Sequence, residues 1–211
     1  MEPIQKHYKV AQALAWFTII YNLAEGIIST FYGFEEETLS LFGFGVDSFI
    51  EMISSIGILV MIFRIEKNPN SPNSTFEKKA LQLTGYCLHA LAIILVLTAA
   101  VSIYEAHIPQ DTLPGIIISC VSIGIMYLLI KEKIKVGKAL DSAAIVADAN
   151  CARVCMYMSM VLLGSSLLAY FIQIPYIDAI GAIGIAYFSY TEGKESLEKA
   201  AGTHDCSCHD H

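Results

Sequence analysis

Phe42-Gly-Phe-Gly-Val-Asp47-Ser-Phe-Ile-Glu51-Met-Ile-Ser-Ser55 sets two acids one helical turn apart inside an apolar run. The i, i+4 spacing puts Asp47 and Glu51 on a single helix face. The apolar run around them covers residues 38–63. About 20 residues are enough for a helix to cross a bilayer of roughly 30 Å. Ionisable groups at that depth are costly and usually mark an ion or proton pathway. Ser54 and Ser55 continue a small polar strip suited to close helix packing.

Five more segments of the same kind surround this one, at residues 10–34, 80–104, 112–130, 142–170 and 175–190. The chain has 211 residues, 55% hydrophobic and 16% charged, whereas soluble domains carry about 25% charged residues. The expected fold is therefore an all-α membrane protein with six transmembrane helices. Residues 1–195 form the membrane domain and 196–211 a His/Cys-rich tail. Nothing else in the sequence is long enough for a soluble domain.

The connectors support that count. Lys6 and Lys9 precede segment one, and Arg64, Lys67, Lys78 and Lys79 flank the second loop. Lys131, Lys133, Lys135 and Lys138 fill the fourth loop, and Lys194 and Lys199 follow segment six. The other loops hold Glu35, Glu36, Glu37, Glu105 and Asp111 but neither Lys nor Arg. Every base except Arg153 then falls on one side, which the positive-inside rule makes cytoplasmic together with both termini. A five- or seven-span reading destroys this alternation.

Other classes drop out on composition. Segment one is too long for a cleaved signal peptide, carries Asn22 and Glu25, and ends in no small-residue cleavage site. The net charge of −7 leaves no basic stripe for nucleic acid. The loop at residues 68–75 reads as a polar, turn-rich link. The cysteines at 87, 120, 151, 155, 206 and 208 divide between membrane segments and tail, which is no disulfide framework.

Only Arg153 could neutralise acids at membrane depth, and it cannot serve Asp47, Glu51 and Glu25 together. It is expected to form a structural ion pair with Glu25 or Asp178. In segment five, Ala147-Asp148-Ala149-Asn150-Cys151-Ala152-Arg153-Val154-Cys155 repeats the i, i+4 device with thiols. At about 100° per residue, Asp148, Cys151 and Cys155 lie within roughly 60° of one another, and Arg153 points away. Single membrane cysteines such as Cys87 and Cys120 read as small packing hydrophobes. Asp47, Glu51, Asp148, Cys151 and Cys155 are the expected metal ligands. Asn22 and Glu25 are expected as a third wall of the site or a proton relay. The plainer alternative is an interhelical hydrogen bond from Asn22 beside a neutral Glu25. His89 reads as a satisfied packing histidine.

The chain ends His204-Asp-Cys206-Ser-Cys208-His209-Asp-His211. Short His/Cys tracts bind metals. Cys-x-Cys-His-x-His lacks the paired spacing of a folded zinc finger, so a labile capture site is expected at His204, Cys206, Cys208, His209 and His211.

With these residues in view, the chain resembles the cation diffusion facilitator family of divalent-metal exporters over about residues 10–195. The resemblance is to the short branch without a C-terminal soluble domain. In the family, segment two offers His or Asp and then Asp four residues on, positions held here by Asp47 and Glu51. Segment five of the family offers His and then Asp just after Ala-Asp-Ala, positions held here by Cys151 and Cys155. Tyr176-Ile-Asp178-Ala-Ile-Gly-Ala-Ile-Gly-Ile-Ala resembles the sixth helix, with Ala179 where Pro is common.

The resemblance implies a divalent heavy-metal transporter working by metal/proton antiport. No permanent cofactor is expected. The cargo is zinc or a softer ion such as cadmium, with cobalt and mercury further candidates, because thiolates favour soft metals over manganese and magnesium. The expected surroundings are a bacterial-type plasma membrane, the lipid bilayer, metal ions and protons, and a homodimer stays open. An intramembrane enzyme is disfavoured, since no His shares the acid or thiol faces and no His-Glu-x-x-His motif occurs. The alternative is a non-transporting metal-binding regulator or scaffold that works through the tail.

Overall fold

The structure, a computed structural model, describes residues 2–67, 75–105, 112–172 and 176–201. It comprises six α-helices among the described residues: α1 Glu2–Glu35, α2 Leu39–Lys67, α3 Thr75–Glu105, α4 Leu113–Ala139, α5 Ala143–Ile172 and α6 Ile177–Ala201. Five of the six are long and apolar enough to cross a membrane. The sixth is shorter in its apolar part than the sequence reading required, because Glu192, Lys194, Glu195, Glu198 and Lys199 occupy its second half.

Most helices outrun the apolar segments at the basic ends of the bundle. Lys131, Lys133, Lys135 and Lys138, expected in a loop, are helical residues of α4. Hydropathy marks only the apolar part of each helix, while amphipathic turns continue it past that part. The link at 68–74 lies outside the described residues.

Two tight turns join neighbours. After α1, Glu37 adopts φ 53°, and Thr38 N–H donates to the Gly33 carbonyl at 2.9 Å. After α4, Asp141 adopts φ 48°, and Ser142 N–H donates to the Gly137 carbonyl at 2.9 Å. Both are Schellman-type ends with a non-glycine residue in the left-handed position.

Helices pack as the pairs α1–α2, α3–α6 and α4–α5, with α2 also touching α3, α5 and α6. The largest core joins Leu41 and Phe44 of α2, Leu88 and Leu95 of α3, Met158 of α5 and Ile185 of α6. Outward faces carry Trp16, Phe31, Ile93, Leu97, Leu128 and Phe171, all exposed. Such an apolar exterior suits lipid rather than water.

Glycine sets the closest approaches. A Cβ on Gly45 of α2 would lie 2.5 Å from the Thr30 main-chain nitrogen of α1. Between α3 and α6, a Cβ on Gly85 would lie 2.9 Å from the Gly193 carbonyl oxygen, and one on Gly193 would lie 3.0 Å from that of Gly85. His89 fits beside this crossing. Its Nδ1 bonds the Gly85 carbonyl at 2.8 Å, and its ring meets Tyr190 edge-on at 4.9 Å.

The N-terminal ends of α2 and α6 are tied by Asp178. Its carboxylate accepts from Leu39 N–H at 2.7 Å, from Ser40 N–H at 3.2 Å and from the Ser40 hydroxyl. An acid from one helix thus caps the positive N-terminus of another. Arg153 is exposed on α5 and forms neither of the pairings expected for it. Asp178 is occupied by α2, and Glu25 by hydroxyl groups described below.

Candidate metal centre

α1, α2 and α5 converge on Glu51. Asn22 of α1 donates from Nδ2 to Glu51 Oε2 at 3.2 Å, and the Cys155 thiol of α5 lies within electrostatic reach of the same carboxylate. One turn away, Asp47 is 1% exposed. Neither of its carboxylate oxygens has a hydrogen-bond partner among the described residues. A buried carboxylate without a partner needs a cation or a proton to be tolerable in a low-dielectric interior.

Glu25 stands beside this group, buried at 4% exposure. The Tyr21 hydroxyl donates to its Oε1 at 2.5 Å and the Ser48 hydroxyl to its Oε2 at 3.0 Å. Ser122 of α4, which accepts from the Ser159 hydroxyl at 2.9 Å, lies within electrostatic reach of the same carboxylate. The i, i+4 spacing of Tyr21 and Glu25 makes the first contact local to α1. Ser48 adjoins Asp47 in the chain, so the relay-candidate acid touches the helix that carries the ligand-candidate acid.

On α5, Asp148, Ala152, Cys155 and Ser159 are buried, while Arg153 is exposed. This is the face expected from the sequence. Cys155 is fully buried against Met126, Leu129 and Ala152. The side chain of Cys151 lies outside the described residues, and so do His204, Cys206, Cys208, His209 and His211. Cys87 packs against the main core, whereas Cys120 is exposed on α4.

Asp148, expected among the metal ligands, is engaged by a base. Lys133 Nζ of α4 lies 3.0 Å from its Oδ2, and both side chains are buried. Among the described residues, no three His, Cys, Asp or Glu side chains come close enough to hold one ion. The structure therefore joins Glu51 to Asn22 with Cys155 nearby, leaves Asp47 a turn away, and sets Asp148 apart with Lys133.

A cavity of about 30 Å³ separates these two groups. Its walls include Asn22, Glu51, Ser54, Lys133, Asp148 and Glu192. Glu192 of α6 has no place in the sequence reading, because it lies beyond the apolar end of segment six. It is nevertheless 7% exposed, and its Oε2 has no hydrogen-bond partner among the described residues. Its only sequence signal is an acid one turn past an apolar run, which is an ordinary pattern for a solvated helix end. Tyr21 and Ser48 were equally silent, since hydroxyl groups in membrane helices are common.

Apolar helices that bury Glu25, Asp47 and Glu192 and half-bury Glu51, among hydroxyl and amide groups and a thiol, define a membrane protein that handles cations. The chain belongs to the cation efflux family, whose transmembrane domain matches residues 15–201. It is thus an integral membrane cation transporter surrounded by lipid, as the resemblance read from segments two and five implied. No curated protein matches the chain significantly.

Proposed function

We propose that the protein exports a divalent heavy-metal cation, zinc or a softer ion such as cadmium, in exchange for protons. The observation that carries this reading is Asp47, a buried acid whose two oxygens have no partner among the described residues, one turn from a carboxylate that has a thiol within electrostatic reach. Asp47, Glu51, Cys151 and Cys155 are the ligands in this reading. Asp148, paired with Lys133, stands outside this set.

Ligand chemistry supplies the coupling. Carboxylates and thiols bind a metal in their deprotonated forms, so loading expels protons and protonation expels the metal. Asn22 orients the Glu51 carboxylate. Glu25 exchanges protons through Tyr21 and Ser48. The Lys and Arg residues gathered at one end of the bundle favour a cytoplasmic location for both termini. Rocking of one helix group against the other opens the site alternately to the two sides, and the tail captures metal on the cytoplasmic side.

The test is flux driven by a pH gradient in vesicles holding the purified protein. Asp47→Ala and Cys155→Ala are each expected to abolish uptake of zinc and cadmium. Flux like that of the wild type from both variants would sink the proposal. Removal of residues 203–211 is expected to leave flux with altered apparent affinity, whereas a tail-based regulator would lose all metal response.

A further inference from the structure

Lys133 and Glu192 are charged residues that the transport reading leaves unused, yet both are buried, at 2% and 7% exposure. They come from different helices, α4 and α6, and meet at the cavity that begins at Glu51. Lys133 is paired with Asp148. Glu192 Oε2 lacks a partner among the described residues, and it lies within electrostatic reach of Asp47 and of Glu51. A second unpartnered acceptor, Asn22 Oδ1, belongs to another wall of the same cavity. An ion pair and a lone acid around a space of about 30 Å³ leave room for one or two waters or a dehydrated ion.

We propose that this cavity is a second cation station, with Glu192 and Asp148 as its carboxylates and the Lys133 ammonium as a tethered occupant. An entering divalent cation displaces the ammonium from Asp148 and gains Glu192 and the Asn22 carbonyl oxygen as further donors. These are oxygen ligands, so the station takes hard and borderline divalent ions without the thiol preference of the site at Cys155. The cation then passes along the wall that Glu51 shares with the cavity. When it leaves, the ammonium returns to Asp148, and the station does not stand as an uncompensated pair of buried acids. Lysine suits this role because its ammonium is a compact point charge on a flexible stem.

The inference rests on the transport reading, but its test is separable. Zinc and cadmium are titrated separately onto the purified full chain in detergent, and bound equivalents are counted by equilibrium dialysis. Glu192→Gln keeps the shape and removes a lone charge, so folding should be retained. It is expected to bind one equivalent fewer than wild type. Asp47→Ala combined with Glu51→Ala is expected to lose a different equivalent, so adding Glu192→Gln removes a further one. Lys133→Gln frees Asp148 and is expected to tighten the Glu192-dependent equivalent about tenfold; if this variant fails to fold, Glu192→Gln decides alone. Wild-type stoichiometry and affinity in Glu192→Gln overturn the station, even where Asp47→Ala still abolishes flux. Unchanged affinity in a folded Lys133→Gln overturns the role given to the ammonium.

Discussion

Asn22 on α1 and Glu51 on α2 are joined by a hydrogen bond of 3.2 Å at the wall of the cavity. Asn22 is 1% exposed, so its amide has little choice of partner and fixes the carboxylate that stands in electrostatic reach of Cys155. A hydrogen bond to a charged group contributes about 1.5–3 kcal/mol. Asn22→Ala is expected to raise the apparent KM for zinc about tenfold with the maximal rate largely kept. Initial-rate flux in vesicles checks this, and an unchanged KM would exclude a role for Asn22 in orienting Glu51.

The thiol at Cys155 sets the softness of the site. Cys155→Asp exchanges sulfur for oxygen at the same helix face and is expected to lower the cadmium-to-manganese preference by about tenfold or more. Competition flux with cadmium, zinc and manganese reads the ratio. Equal preference in wild type and variant would reduce Cys155 to packing.

Acid on the loading side opposes metal. The ligands must lose protons to bind, so apparent affinity falls as pH falls, by up to about tenfold per unit for each proton displaced. Asp47→Asn removes one competing proton and is expected to flatten the slope between about pH 7.5 and 5.5 while weakening binding throughout. The measurement is metal binding by the purified protein across that range. A flat wild-type profile would contradict proton exchange.

Gly45 presses against the Thr30 main chain, and a methyl group there would sit 2.5 Å from its nitrogen. Backbone cannot step aside as a side chain can. Gly45→Ala is expected to destabilise the protein by about 1–3 kcal/mol and to part α1 from α2. Thermal unfolding in detergent should show the loss, and flux should fall with it because Asn22 and Glu51 sit on those two helices.

Asp178 carries three hydrogen bonds to the start of α2. Asp178→Ala is expected to cost about 2–3 kcal/mol, with Asp178→Asn intermediate because its amide oxygen still accepts. Melting temperatures of the two variants order the effect. Metal binding should survive in both, since neither touches the candidate ligands.

The helix ends away from the basic residues are legible from the sequence, whereas the basic ends, that of α5 apart, are not. Hydropathy starts the second segment at residue 38 and Leu39 begins α2, but it ends the fourth at residue 130 and α4 runs to Ala139. Apolar runs stop where lipid stops, whereas hydrogen-bonded turns continue under charged side chains. The same blindness hid the Lys133–Asp148 pair, because a lysine placed in a loop cannot be foreseen as the partner of a membrane acid. Asp47, Glu51 and the buried face of α5 stood out because charge and period agree there. Glu192 did not, since its meaning comes from a cavity made by other helices.

The bond network at Asp178 has a mechanical consequence. It pins the outer tips of α2 and α6, while the Gly85–Gly193 crossing clasps α6 to α3 nearer the other end. These three helices form a braced chassis with two fasteners at different heights. No comparable carboxylate clamp holds the outer tips of α1, α4 and α5 among the described residues. α1 is fastened to the same chassis by the close approach of Gly45 to the Thr30 main chain, so in the proposed exchange the freedom to swing falls to α4 and α5, which carry Lys133 and Cys155.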